Sequence, residues 1–220
     1  MATAKTTESV TIKPIELRTV RVKIVGDSSL IVHAWSEKAK RQMLDAQMGK
    51  AKGKAKEFKN PVEDFIRSMY WLDDTMPEEM TEEGFAKAIA AGAVFGFPVT
   101  AIKQAAISAA YRLGYVKNKM ELRGTFFIKG YNGGEFVKID SDVPVMREDM
   151  VRVGMGTADI RYRGEFHNWS AEFDLQYNVN GQIDLESIIN VINAGGLVCG
   201  IGEWRPEKDG QSGMFHVATN

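Results

Sequence analysis

Apolar residues recur along this chain with two different periods. From about 15 to 25 they alternate: Val20, Val22 and Ile24 share one face and Arg21 and Lys23 the other, the period-two signature of a half-buried strand. Gly26-Asp27-Ser28 reads as a turn and Leu30 to Trp35 as a second short strand. Ser36 is a natural N-cap for a helix to about 49, with Ala39, Met43 and Ala46 on one stripe. Pro61 opens a helix predicted to reach Leu72, on the spacing of Phe65, Met69 and Leu72. Thr81 caps another, which carries Phe85 and Ile89 and stops near Gly92. A third spans about 99–113, where Ile102, Ala105, Ala106, Ala109 and Leu113 make a small-residue face suited to close packing.

Beyond Gly114 the period changes to two. Met120, Leu122, Phe126 and Ile128 alternate with Glu121, Arg123 and Lys129, and short strands are expected near 135–139 and 143–153. Residues 157–163 alternate again, as do Ala171, Phe173, Leu175 and Tyr177 with Glu172, Asp174 and Gln176, up to an Asn180-Gly181 turn. Asp184 caps a helix bearing Leu185, Ile188, Ile189 and Ile192, predicted to stop at Gly195-Gly196. Short strands near 197–201 and 212–218 flank a last loop. A strand and helix begin the chain and a strand–helix–strand unit ends it. This order predicts an α+β protein: a split βαβ, ferredoxin-like (RRM-like) antiparallel sheet with an inserted helical region and a C-terminal glycine-rich loop. The expectation is a single domain over 1–220, with a helical insertion at 37–115 that contains a flexible basic loop at 49–60.

Composition narrows the classes. An apolar fraction of 44% with 26% charged residues supports an ordinary globular core. The chain has no run of about eighteen apolar residues and its first ten residues form no apolar signal segment, so a cytoplasmic protein without a membrane span is expected. Cys199 is the single cysteine, which excludes an internal disulfide and any multi-cysteine zinc site. No metal and no cofactor is expected. The net charge of −1 hides two blocks. Lysines dominate 38–59, and Asp73, Asp74, Glu78, Glu79, Glu82 and Glu83 follow.

Three clusters carry candidate binding chemistry. Lys50, Lys52, Lys54 and Lys56 stand at alternate positions in GKAKGKAKEFKN and form an electrostatic hook for polyanions, or else a solvated linker. Arg161 and Arg163 share one strand face, flank Tyr162, and either meet one phosphate backbone or pair with Asp159 and Glu172. Gly200 and Gly202 lead into Trp204, Arg205 and Lys208, a stacking ring and two cations in a chain able to approach a phosphate closely; the plainer reading is a set of tight turns. His33, His167 and His216 form no recognised catalytic pattern, and no phosphate-loop or dinucleotide fingerprint occurs.

The helix leading into GGLVCGIGEWRPEKDGQSGMF resembles the glycine-rich segment of the RAMP superfamily, the RNA-binding CRISPR backbone and processing subunits. IRYRGEF followed by GIGEWRPEK also resembles uncharacterised proteins encoded by bacteriophages and prophages. The RAMP resemblance implies RNA or single-stranded nucleic acid binding, in a helical or ring-like homo-oligomer. It matches the family loop to Gly200, Gly202, Arg205, Gly210 and Gly213, and places 49–60 where backbone subunits carry a finger-like insertion. The spacing from Gly202 to Gly213 is longer than the family pattern, and the overall charge is not basic. The leading expectation is therefore a non-catalytic, self-assembling phage-type protein that binds RNA or single-stranded DNA. An anti-defence or scaffold protein contacting a host or phage protein partner is the second, and a metal-independent endoribonuclease using His33 or His167 the third.

Overall fold

The alternation read from the sequence sets the central strands. In β1 (Leu17–Gly26), Val22 and Ile24 are buried and Arg21 and Lys23 are exposed on the other face. β9 (Ser170–Asn178) buries Ala171, Phe173, Leu175 and Tyr177, and lies antiparallel to β1 with Leu17 opposite Asn178 and Val25 opposite Ser170. The computed structural model describes residues 13–35, 37–49, 59–153 and 157–219, and over these the chain is α+β with two antiparallel sheets. The larger sheet runs in the order β10 (Phe215–Val217), β1, β9, β6 (Phe136–Asp140), β4 (Val94–Pro98), β3 (Tyr70–Leu72). β5 (Phe126–Lys129) pairs with the Asp174–Tyr177 end of β9, and β6 with its Ser170–Glu172 end. The smaller sheet is β2 (Leu30–Val32), β8 (Thr157–Phe166) and β7 (Val145–Val153).

The remaining elements are α1 (Glu37–Gln47), α2 (Pro61–Arg67), α3 (Glu82–Ala90), α4 (Val99–Arg112), α5 (Met120–Arg123) and α6 (Leu185–Val198). Helices α4 and α6 pack on each other through the small-residue face anticipated for α4. A Cβ on Gly195 would lie 2.7 Å from the Ala106 nitrogen, so only glycine admits this approach. Ile102, Phe126, Phe173, Leu175, Ile188 and Ile192 meet in one buried core with Ile24 and Phe215. The small sheet joins that core where the Phe95 and Phe166 rings meet edge-on at 5.4 Å. The Ser68 hydroxyl, at the end of α2, accepts the Gly164 N–H at 2.8 Å and seats the helix on β8.

Four expectations need correction. The helix from Pro61 stops at Arg67, because Tyr70 and Trp71 pair with Gly96 and Phe95 and turn the remainder into β3. Met120 to Arg123 is a helical turn, not a strand: the Asn118 side chain accepts the Met120 N–H, and the Glu121 side chain accepts the Asn118 N–H. Helix α6 runs through Gly195-Gly196 to Val198, since both glycines serve close packing, Gly196 against the Phe215 carbonyl, and this removes the strand expected near 197–201. The stretch 37–115 contributes β3 and β4 to the main sheet besides its helices. No described helix is long and apolar enough to cross a membrane.

Candidate functional site

In the glycine-rich loop the close approaches are made to the chain's own backbone. Gly202 has φ +79° and a Cβ there would lie 2.4 Å from the Ile31 carbonyl oxygen; at Gly213, with φ +67°, it would lie 1.7 Å from that of Ile201. Loop N–H groups are engaged internally as well: Gly200 donates to Gly195, Ile201 to Gly213, Glu203 to Ile31, and Gly213 to Ser29. These bonds dock the loop on β2. They leave few amides free for a phosphate.

Of the loop's two cations, Arg205 faces inward too. Arg205 donates to the Gly202 carbonyl at 2.9 Å and to Glu207 at 3.3 Å, while Glu207 also holds Arg112 of α4 at 3.0 Å. Arg163 is only 6% exposed, and its guanidinium bridges Asp149 of β7 at 2.9 Å and Glu203 of the loop at 3.2 Å. Arg147 reaches Asp149 at 2.9 Å and Glu165 at 3.3 Å. Burial pushes the Asp149 carboxyl up, but hydrogen bonds from Arg163, Arg147 and Trp204 outweigh it and hold it below the usual carboxylate range. Arg161 and Arg163 therefore do not act as one exposed pair. Arg163 locks the loop to the small sheet, and Trp204, at φ 52° and 40% exposed, covers that lock.

The distal end of the β7–β8 ribbon is different. Cross-strand neighbours Met150 and Ile160 are 76% and 42% exposed, and Arg152, exposed on the same face, makes no ion pair among the described residues. Arg161 is half-buried and pairs with Asp159 at 2.8 Å. The Lys59 ammonium donates to Asp159 and to the Ile160 carbonyl, and holds the Asp159 carboxyl below its usual range. This anchors the chain on β8 immediately after the lysine-rich segment, whose Lys50, Lys52, Lys54 and Lys56 lie outside the described residues. Tyr162 is packed against the core, not free to stack. Lys208 is exposed and makes no ion pair among the described residues.

The open face of the main sheet is a charge ladder: Arg21 bonds Asp174 at 2.8 Å and Glu172 at 3.4 Å, and Lys23 lies 4.0 Å from Glu172. Such exposed pairs neutralise the face.

A cleft of about 240 Å³ opens between the start of α4 and the glycine-rich loop. His33, Tyr70, Phe97, Gln104, Glu203 and Arg205 line it. Among the described residues, the His33 Nδ1 is buried without a hydrogen-bond partner, and so, behind the cleft, is the Arg163 Nε. Burial and the nearby Arg163 charge lower the His33 pKa, so its ring is neutral at pH 7. The three histidines keep separate company: His216 meets Asp27 at 2.7 Å, and the His167 carbonyl accepts the Asp142 N–H.

Tyr70, Gln104, Arg147, Asp149 and Glu203 escaped the sequence reading. Each sits in an ordinary helix or strand pattern or in the loop, and the pairing of β7 with β8 and of β3 with β4, the placement of α4 and the docking of the loop on Ile31 bring them to these places.

No protein-family model matches the chain, and no curated protein matches it. Among solved structures, it is similar to a chain of the type III-B Cmr-beta bound to cognate target RNA, at 10% identity and a TM-score of 0.48. That alignment covers 92% of this chain and 59% of the other. It is also similar to Cmr6 from Pyrococcus furiosus, at 10% identity and a TM-score of 0.36, over 93% of this chain and all of that one.

Proposed function

We propose that this protein binds RNA or single-stranded DNA without cleaving it, through the lysine-rich segment and the outer end of the β7–β8 ribbon. The observation that carries this is the Lys59 anchor: it ties the residue three positions after Lys56 to Asp159 and Ile160, beside Arg152 and Arg161. Lys50, Lys52, Lys54 and Lys56 enter the interface by their place in the sequence. Backbone phosphates would meet these cations and Arg152, giving sequence-tolerant binding. Lys208 and Trp204 lie on the loop side and contribute less, while Gly200, Gly202, Arg163 and Arg205 act by holding the loop in place.

The strand order β10–β1–β9–β5, antiparallel throughout, with α4 packed on α6, supports a ferredoxin-like unit into which the elements from β2 to β4 and from β6 to β8 are inserted. The RAMP-like and phage-type character belongs to the same reading through the C-terminal string. Self-assembly is supported by β7, an edge strand of nine residues with Met146 and Met150 exposed. Size-exclusion chromatography with light scattering, recording absorbance at 260 and 280 nm before and after nuclease, tests the reading. Nucleic acid co-purifying in a nuclease-sensitive assembly supports it; a nuclease-resistant complex with a protein partner would favour the anti-defence or scaffold reading, to which the same exposed edge is suited.

A further inference from the structure

The cleft beside the glycine-rich loop has chemistry that the cationic ribbon lacks. Its cation is neutralised, with Arg205 bonded to Glu207 and to the Gly202 carbonyl. Glu203 engages Arg163 through Oε2, and its Oε1 makes no hydrogen bond among the described residues. The walls thus offer acceptors and neutral polar groups, and a phosphate entering here would meet two carboxylates. Tyr70 and Phe97, whose rings meet edge-on at 5.7 Å, supply an aromatic wall. The exposed Gln104 amide offers both a donor and an acceptor, the arrangement that reads a base edge in pairs of hydrogen bonds.

His33 lines the cleft as well; its Nδ1 is enclosed by the chain and has no hydrogen-bond partner among the described residues. The volume of about 240 Å³ is below that of drug-sized pockets and holds one ring system, not a stretch of strand.

We propose that this cleft binds a single uncharged nucleobase bearing an exocyclic amine, held by His33, Gln104 and Glu203 against the aromatic wall of Tyr70 and Phe97. The ligand class rests on the nucleic-acid reading above, but the site is separate from the cationic ribbon. A base turned out of the bound strand would enter it, adding a preference for adenine or cytosine over uracil to otherwise sequence-tolerant binding. Uracil leaves the Glu203 carboxylate facing a carbonyl in place of an amine.

Free nucleosides separate the two sites, because they carry no phosphate. The full chain is titrated with adenosine, cytidine and uridine, following the His33 imidazole by nuclear magnetic resonance, and in parallel with a fluorescent single strand. Adenosine and cytidine should bind in the millimolar range, shift the His33 signals, and keep their affinity when salt is raised. Uridine should bind roughly tenfold more weakly. Gln104→Ala, an exposed change that leaves the fold intact, should weaken adenosine about fivefold or more. If no nucleoside binds while the single strand does, the base site is wrong and the ribbon reading survives. If adenosine binds and the single strand does not, the ribbon reading fails and the cleft stands. Adenosine affinity unchanged by Gln104→Ala also overturns the proposal.

Discussion

Arg205 in the C-terminal loop and Arg152 on the β7–β8 ribbon have opposite surroundings. Arg205 donates to Glu207 and to a backbone carbonyl beneath it, whereas Arg152 is exposed next to Met150 and Ile160. The loop has the richer signature in sequence, with glycines, a tryptophan and two cations. In the folded chain its amides, its tryptophan and its arginine all face the protein's own carbonyls and carboxylates. The ribbon looks plainer and is the surface that turns cations and apolar side chains outward together. A cation becomes available to a polyanion only when no carboxylate within the fold has already engaged it.

The largest test of this contrast is at Gly213. A methyl group there, at φ +67° and 1.7 Å from the Ile201 oxygen, should destabilise the chain by about 4 kcal/mol or more. Thermal melting reads the result, and a Gly213→Ala protein melting like the parent would remove the claim that the loop is structural.

Asp149→Ala comes next, leaving Arg163 charged and buried with Glu203 as its remaining partner, at a cost of about 3 kcal/mol or somewhat less in a denaturant titration. Asp149 titrates below its ordinary value of 3.8 in the folded chain, so its contribution is present above that value and is lost as pH falls through the lower, folded one. Acid titration of Asp149→Asn should therefore lose less stability below pH 3.8 than the parent does.

Binding effects are smaller in energy. Arg152→Glu should lower single-strand affinity about fivefold or more at low salt. Lys208→Glu, an exposed lysine of the loop, should alter it by no more than about twofold, measured the same way. Equal losses from both would erase the distinction between ribbon and loop.

Local patterning made the strands β1 and β9 legible, since Val22 with Ile24, and Phe173 with Leu175, carry a clean period of two. The caps at Thr81 and Asp184 were legible as well, and each side chain accepts a backbone N–H as its position implies. Gly195 and Gly196 misled because a glycine that ends a helix and one that lets another backbone approach look alike in sequence. Tyr70 and Trp71 misled because their helical spacing is overridden by pairing with β4. The lysine cluster was nominated on composition and Arg161 on strand alternation; Arg152, the contact of Lys59 with β8 and the His33 cleft depend on which segments meet, which no local pattern encodes. Arg163 shows the same limit, for its burial follows from Asp149 and Glu203, residues distant from it in sequence.

The most direct test is the salt dependence of single-strand binding, measured by fluorescence anisotropy with labelled RNA and DNA from about 50 to about 200 mM salt. The account predicts that affinity falls steeply and log-linearly with salt, and that Arg152→Glu makes the slope shallower by roughly one, for the phosphate no longer neutralised. Affinity that stays constant across that range, or an Arg152→Glu variant that binds like the parent, would contradict it.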